Sequence, residues 1–380
     1  MNKFKNTSIL FALLSLIIYG CGYTSTSITS CEVLTLSHFG GTLDDSIAFK
    51  GWDAIALETN NASLIKSVSR LCLDKDTLIV FDRSMNKIVV FKKDGKHICT
   101  IHDIGAGPRE YIQISDVCLD RKNKQIILLC DRPYKFMYYT YSGQFIKEVK
   151  YTDFRSELSM DDNGIIYCYE GIGEEQSTFY VYDNDANLTG ELHIPSAELK
   201  SSDSSGSFQV FHIGKNLTFG KEVYFTREFD NSIYVFSNGE VHPKYTIDFQ
   251  ENQMPPKLYE KYKRSLDFIE ECRSKKYVYS ISEVMENNDK LLFNTNLGIC
   301  IYDKATRELN GYRCIMTDGL GGSPLTMNDG EHLAVIYAST LFKMLINTGL
   351  EREKTFSDKL LKAYHAINEE SNPVLLIYRF

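Results

Sequence analysis

Apolar residues in this chain fall in short runs, and the runs return in a fixed order with fixed endings. The twelve residues from Lys87 to Ile98 can be laid on those from Lys135 to Ile146 at one offset of 48, with a Lys, an aromatic, a Gly and an Ile recurring in place. Upstream, Leu71-Cys72-Leu73-Asp74 matches Val117-Cys118-Leu119-Asp120 and, more loosely, Leu158-Ser159-Met160-Asp161. Between these, residues 78–82 match 126–131, and 165–170 follow suit. Each unit thus reads as an apolar strand ending in Asp, a second ending in an acid, a third ending in an aromatic, a turn and a fourth strand.

The third strand can be followed through residues 179–182, 233–236 with Gly239, and 299–302 to the apolar run 374–378 near the end of the chain, which gives six copies. The runs are rich in β-branched and aromatic side chains, and several are joined by Asp-Gly, Ser-Gly or Asn-Gly, which is hairpin chemistry. Four strands at a period of about 45 residues predict propeller blades rather than helical repeats. Continuous apolar runs agree, because inner strands are covered on both faces by neighbouring blades. The predicted fold is therefore all-β: a six-bladed β-propeller of four-stranded antiparallel blades. The last copy lacks a fourth strand after Phe380, and a strand near residues 52–57 is expected to supply it, closing the ring and removing two exposed sheet edges.

Two interruptions follow a helical period instead. Pro255-Pro256 opens a stretch with Leu258, Tyr262, Leu266 and Ile269 on one face, which lengthens the gap between the fourth and fifth copies to 66 residues. Ser357 is placed to cap a second helix through Leu360, Leu361, Tyr364 and Ile367. Both are expected to pack on blade edges rather than to bind a partner.

The start of the chain has a different pattern. Lys3 and Lys5 precede about ten apolar residues, too few to span a bilayer, and the run ends in Ile18-Tyr19-Gly20-Cys21. This reads as a secretory signal over residues 1–20 whose end resembles the bacterial lipobox, with Cys21 as the residue that takes the lipid. The competing reading is an ordinary signal with a chance Cys beside its cleavage site. Several acyl chains on Cys21, at about 0.8 kcal/mol per buried CH₂, would anchor the protein on a membrane. Residues 21–44 are assigned to the lipidated Cys and a flexible tether, and 45–380 to a single propeller domain.

Nine further cysteines form no CxxC pair, and several sit inside apolar runs, where they act as small buried hydrophobes. The formal charge is −8, and −10 once Lys3 and Lys5 are set aside. An acidic surface repels phosphate backbones, so nucleic acid is not an expected partner.

Three stretches resemble a known family: Leu57-Glu58-Thr59, Gly105-Ala106-Gly107-Pro108-Arg109-Glu110-Tyr111-Ile112, and Asn372-Pro373-Val374-Leu375-Leu376-Ile377-Tyr378. They are similar to lipid-anchored six-bladed propeller proteins of gut-dwelling Gram-negative bacteria, whose blades are related to NHL repeats. The resemblance covers roughly residues 45–380 and implies a fold and an outer-membrane location, facing the periplasm or the cell surface, with no assigned activity. This chain departs from the pattern where Ala186 and Thr306 replace the turn glycine.

Catalytic signatures are missing: there is no GxSxG, HExxH, P-loop or dinucleotide fingerprint. Asp183-Asn184-Asp185 opens like a calcium loop, but Leu188 and Ile194 stand where Gly and Glu are required. No cofactor is identified. Propeller lyases and lactonases hold a divalent metal in the central channel with ligands scattered over several blades, so such a site is not excluded by spacing, and His212 and His332 are the histidines to check. Arg109, Glu110 and Tyr111, on a connecting loop at a propeller face, are the candidate ligand contacts; the competing roles are Glu110 bonding nearby backbone amides and Tyr111 packing between blades. The expected function is a membrane-anchored, non-enzymatic binding or scaffolding protein for a peptide, a glycan or a protein partner in the outer membrane. A metal-dependent lyase or lactonase in the channel is the alternative.

Overall fold

The computed structural model describes residues 31–172, 176–195, 214–237 and 239–380. The signal segment and Cys21 lie outside them, as does His212.

Alternating and continuous apolar runs build a succession of four-stranded antiparallel sheets, an all-β arrangement consistent with a propeller. Sheet one lies within residues 70–101, sheet two within 113–150, sheet three within 157–195, sheet four within 217–248 and sheet five within 281–312. Sheet six combines Leu325–Thr326, His332–Tyr337, Val374–Arg379 and, at its outer edge, Gly51–Ala56. In that last pairing Ala56 faces Val374 and Gly51 faces Arg379, so a strand near the start of the domain completes a sheet made by its end.

The strands are apolar on both faces because each sheet is packed on both faces. In the second strand of sheet one, Leu78 and Val80 pack toward sheet six, while Ile79 and Phe81 pack toward sheet two. That division follows from the two-residue period of a strand. The same interleaving recurs between sheets two and three, three and four, four and five, and five and six. Each buried Leu, Ile, Val or Phe removed from water contributes about 1.5–3 kcal/mol, so these layers hold the molecule together without disulfides. The first strand of each sheet also touches the first strand of the next, and that of sheet six touches that of sheet one.

Two features depart from the expectations. Residues 32–44 are not a tether: Glu32–Phe39 is a strand that pairs in parallel with residues 245–248 of sheet four and then with 309–311 of sheet five. It joins the two into one nine-stranded sheet, and Leu34 and Leu36 are buried beneath it. Leu43–Asp44 then pairs with Ile315–Thr317.

The helical insertions also differ in detail. The run after Pro255-Pro256 is broken: a 3-10 turn at Leu258–Lys261 is followed by extended backbone at Tyr262 and Arg264 before the helix Ser265–Lys275 begins. The apolar spacing read across this break as one face, so Leu266, expected to be buried, is 67% exposed, and Phe268 and Cys272 pack instead. Between the second and third strands of sheet six there are two helices, not one: Ser339–Glu351, buried through Phe342 and Ile346, and Asp358–Ala366, buried through Leu360 and Ala363. Both cover sheets five and six.

The left-handed turn position after the third strand is occupied by Gly95, Gly143 and Gly239, and in sheet three by Ala186 at φ +67°. In sheet five it falls on Arg307 (φ +61°), one residue beyond Thr306, because that turn is longer.

Candidate functional site

The loop leading into sheet two folds back on itself. Gly107 donates its amide to Glu110 Oε2 at 2.8 Å, and a side chain at Gly105 would collide with the same carboxylate, so the glycines make room for Glu110. Tyr111 is fully buried between sheets one and two, with its hydroxyl 3.2 Å from the Asn86 carbonyl and 3.3 Å from that of Ile101. Arg109 is exposed, with its guanidinium 5.3 Å from the Phe145 ring centre. Of the three, only Arg109 has its charged end turned outward; the other two are engaged by the fold.

A second polar group was not singled out in the sequence. The residues immediately before Leu71, Val117, Leu158, Leu217, Val284 and Met327, in sheets one to six, are Arg70, Asp116, Glu157, Asn216, Glu283 and Thr326. Register shifts in sheets two and five locate bulges beside Asp116 and Glu283, a common device for re-aiming a side chain. Asp116 pairs with both Arg70 and Lys215 and accepts the Leu158 amide at 2.9 Å. Glu283 accepts the Lys215 amide at 2.8 Å through one oxygen and Thr326 through the other. Glu157 accepts the Leu217 amide at 3.0 Å.

Three carboxyls thus share a buried space with two cations. Desolvation, and then the neighbouring Asp116 charge, push Glu157 up to about 7. Burial raises Asp116 and Glu283 as well, against the pull of Arg70 on both. Beyond this cluster, Arg121 reaches the carbonyl of Asn328, and Asn328 donates to the Leu71 carbonyl at 3.1 Å. The space left among Arg70, Cys72, Cys118, Arg121 and Phe219 is a cavity of about 10 Å³, room for one water at most.

A much larger opening lies elsewhere. A cleft of about 880 Å³ runs between sheet six and sheet one, with Trp52, Asp53, His332, Ile377 and Arg379 on one wall. The opposite wall is made by the turns and edge of sheet one, including Asp76, Lys92, Lys93 and Ile98. His332 and Arg379 are direct cross-strand partners, so their side chains share a face. His332 Nδ1 is 2.7 Å from Asp329 Oδ2, which leaves Nε2 toward Lys93 Nζ at 3.5 Å. Of the two histidines flagged in the sequence, His332 lines the cleft, with a carboxylate on one side and a lysine on the other.

A family model described as "Domain of unknown function (DUF4934)" matches residues 40–379. The chain belongs to that family. No curated protein matches it. Among solved structures, a Bacteroides fragilis protein described as a "putative exported protein" is similar over 92% of this chain and 99% of its own, with 20% identity and a TM-score of 0.67. A member of the DUF4221 family from Bacteroides vulgatus is similar over 88% and 98%, with 11% identity and a TM-score of 0.51. At these identities the likeness is one of fold.

Proposed function

We propose that this DUF4934 protein is an exported, lipid-anchored binding or scaffolding module. In this reading it is a six-bladed propeller closed by Gly51–Ala56, and it takes a glycan, a peptide or an outer-membrane protein in the cleft between sheets six and one. The cyclic order of contacts among first strands and among the apolar layers supports the ring. The lipobox at Cys21 supports the anchor.

The observation that carries the binding reading is where the space lies. An 880 Å³ cleft falls within the range of about 300–1,000 Å³ usual for ligand sites, whereas the cavity beside the first strands of the sheets, among Arg70, Cys118 and Phe219, measures about 10 Å³. A channel lyase or lactonase would need room there for a metal and its substrate. Among the described residues, no three His, Cys, Asp or Glu side chains are grouped to hold one.

Glycan and peptide arrays probed with the wild-type protein and with Trp52→Ala test the reading. Hits that vanish with Trp52→Ala are expected. Hits indifferent to that change, or a stoichiometric divalent ion accompanied by turnover, would overturn it.

A further inference from the structure

The charges in the cleft are not balanced by their neighbours. Asp53 is taken by Lys359 at 3.2 Å, and Asp94 accepts the Lys96 amide within its own turn. Among the described residues, the side chains of Lys92 and Arg379 have no ion-pair or hydrogen-bond partner, and Lys93 meets only His332. Against these three cations stand two acids with no cationic partner, Asp76 and Asp94, so the lining carries a small excess of positive charge. A protein with a formal charge of −8 has therefore placed more cations than acids in this cleft.

The cations come from separate stretches of chain. Lys92 and Lys93 sit where the third strand of sheet one turns, and Arg379 ends the third strand of sheet six. Glycine at position 51, directly opposite Arg379, leaves the outer side of that guanidinium without a neighbouring side chain. Asp329 fixes the His332 ring, so in the neutral ring the Nε2 lone pair faces the Lys93 ammonium and steadies it. Apolar surface from Trp52, Ile55 and Ile98 lines the same cleft.

We infer that the cleft binds an acidic saccharide, with its carboxylate or ester oxyanion held by Arg379 and Lys93 and its ring against the apolar wall of Ile55, Ile98 and Ile377. The inference rests on the cleft being the ligand site. A guanidinium supplies two parallel donors to an oxyanion and an ammonium adds a third, whereas a neutral sugar would leave these cations uncompensated as it displaced water from them.

Trp52 is the one tryptophan of the chain and borders the cleft with Lys359 over its ring, so its fluorescence reports changes at that rim. Titrations with glucuronate, glucose 6-phosphate, glucose and inorganic phosphate separate carboxylate, phosphate ester, neutral ring and bare anion. Saturable change with glucuronate or glucose 6-phosphate is expected, with glucose and inorganic phosphate at least about tenfold weaker. Lys93→Gln and Arg379→Gln, both at solvent-accessible positions, are each expected to weaken the acidic probe about tenfold without changing the unfolding midpoint. Glucose binding as well as the acids, affinity that survives the double variant, or no saturable change with either acid up to about 10 mM overturns the inference. Array hits that are neutral yet lost in Trp52→Ala would leave the binding function standing while removing this ligand class.

Discussion

Single residues show how the repeat has been put to use. The polar position at the head of each inner strand gathers Arg70, Asp116, Glu157 and Glu283 with Lys215, two positive and three negative groups if all are ionised. Glu157 takes up the imbalance by holding its proton up to about pH 7, above its ordinary 4.5. A carboxyl whose pKa is raised on folding binds its proton more tightly in the folded state. Stability from it is present below about 4.5 and is lost as pH rises through about 7. Glu157→Gln keeps an acceptor for the Leu217 amide and removes the titration. Urea midpoints of wild type and variant at pH 5 and pH 8 should therefore diverge in the variant's favour at the higher pH; equal differences at both would show that Glu157 ionises freely. The polar position was within reach of the repeat alignment, one residue upstream of Leu71, Val117 and Leu158. Its convergence was not, because a polar residue at a strand end reads equally well as surface. A second buried group, Glu286, is drawn down to about 2. Desolvation opposes this, but hydrogen bonds from Lys244, Lys304 and Tyr224 prevail, and the cluster braces sheet four against sheet five.

Among elements, the strands that are covered on both faces were the legible ones. Residues 78–81, 126–130 and 299–302 are unbroken apolar runs because neighbours lie on either side, and they are the second or third strands of their sheets. Glu32–Phe39 escaped notice for the opposite reason. It is half exposed and pairs in parallel with two distant strands, so no hairpin turn marks it, and only the alternation of Leu34 and Leu36 was there to read. The junction of sheets six and one rests on a turn glycine. Gly95 has φ +91°, and a Cβ there would lie 2.3 Å from the Ala56 carbonyl oxygen, while Glu58 donates to the Gly95 carbonyl at 2.8 Å. Gly95→Ala is expected to cost about 2–3 kcal/mol, from the left-handed backbone and the collision together, and to lower the urea midpoint. A cost below about 0.5 kcal/mol would mean that the two sheets are not in contact there.

At the scale of the whole molecule, the pairing of Gly51–Ala56 with Val374–Arg379 and the cleft are one feature. Gly51–Ala56 completes the sheet formed by Val374–Arg379, and the cleft opens between that sheet and the next. The pairing was legible because the last copy lacked a strand. The cleft was not, since its walls come from residues around 52, 76, 92, 332 and 379, which no local pattern connects. Hydrogen exchange read by mass spectrometry over peptides covering residues 51–56 and 374–379 tests this arrangement most directly. If Gly51–Ala56 is stitched to the last strand, both segments are protected together and lose protection together as denaturant is raised. Exchange of residues 51–56 at the rate of an open loop, beside a protected 374–379, would contradict it.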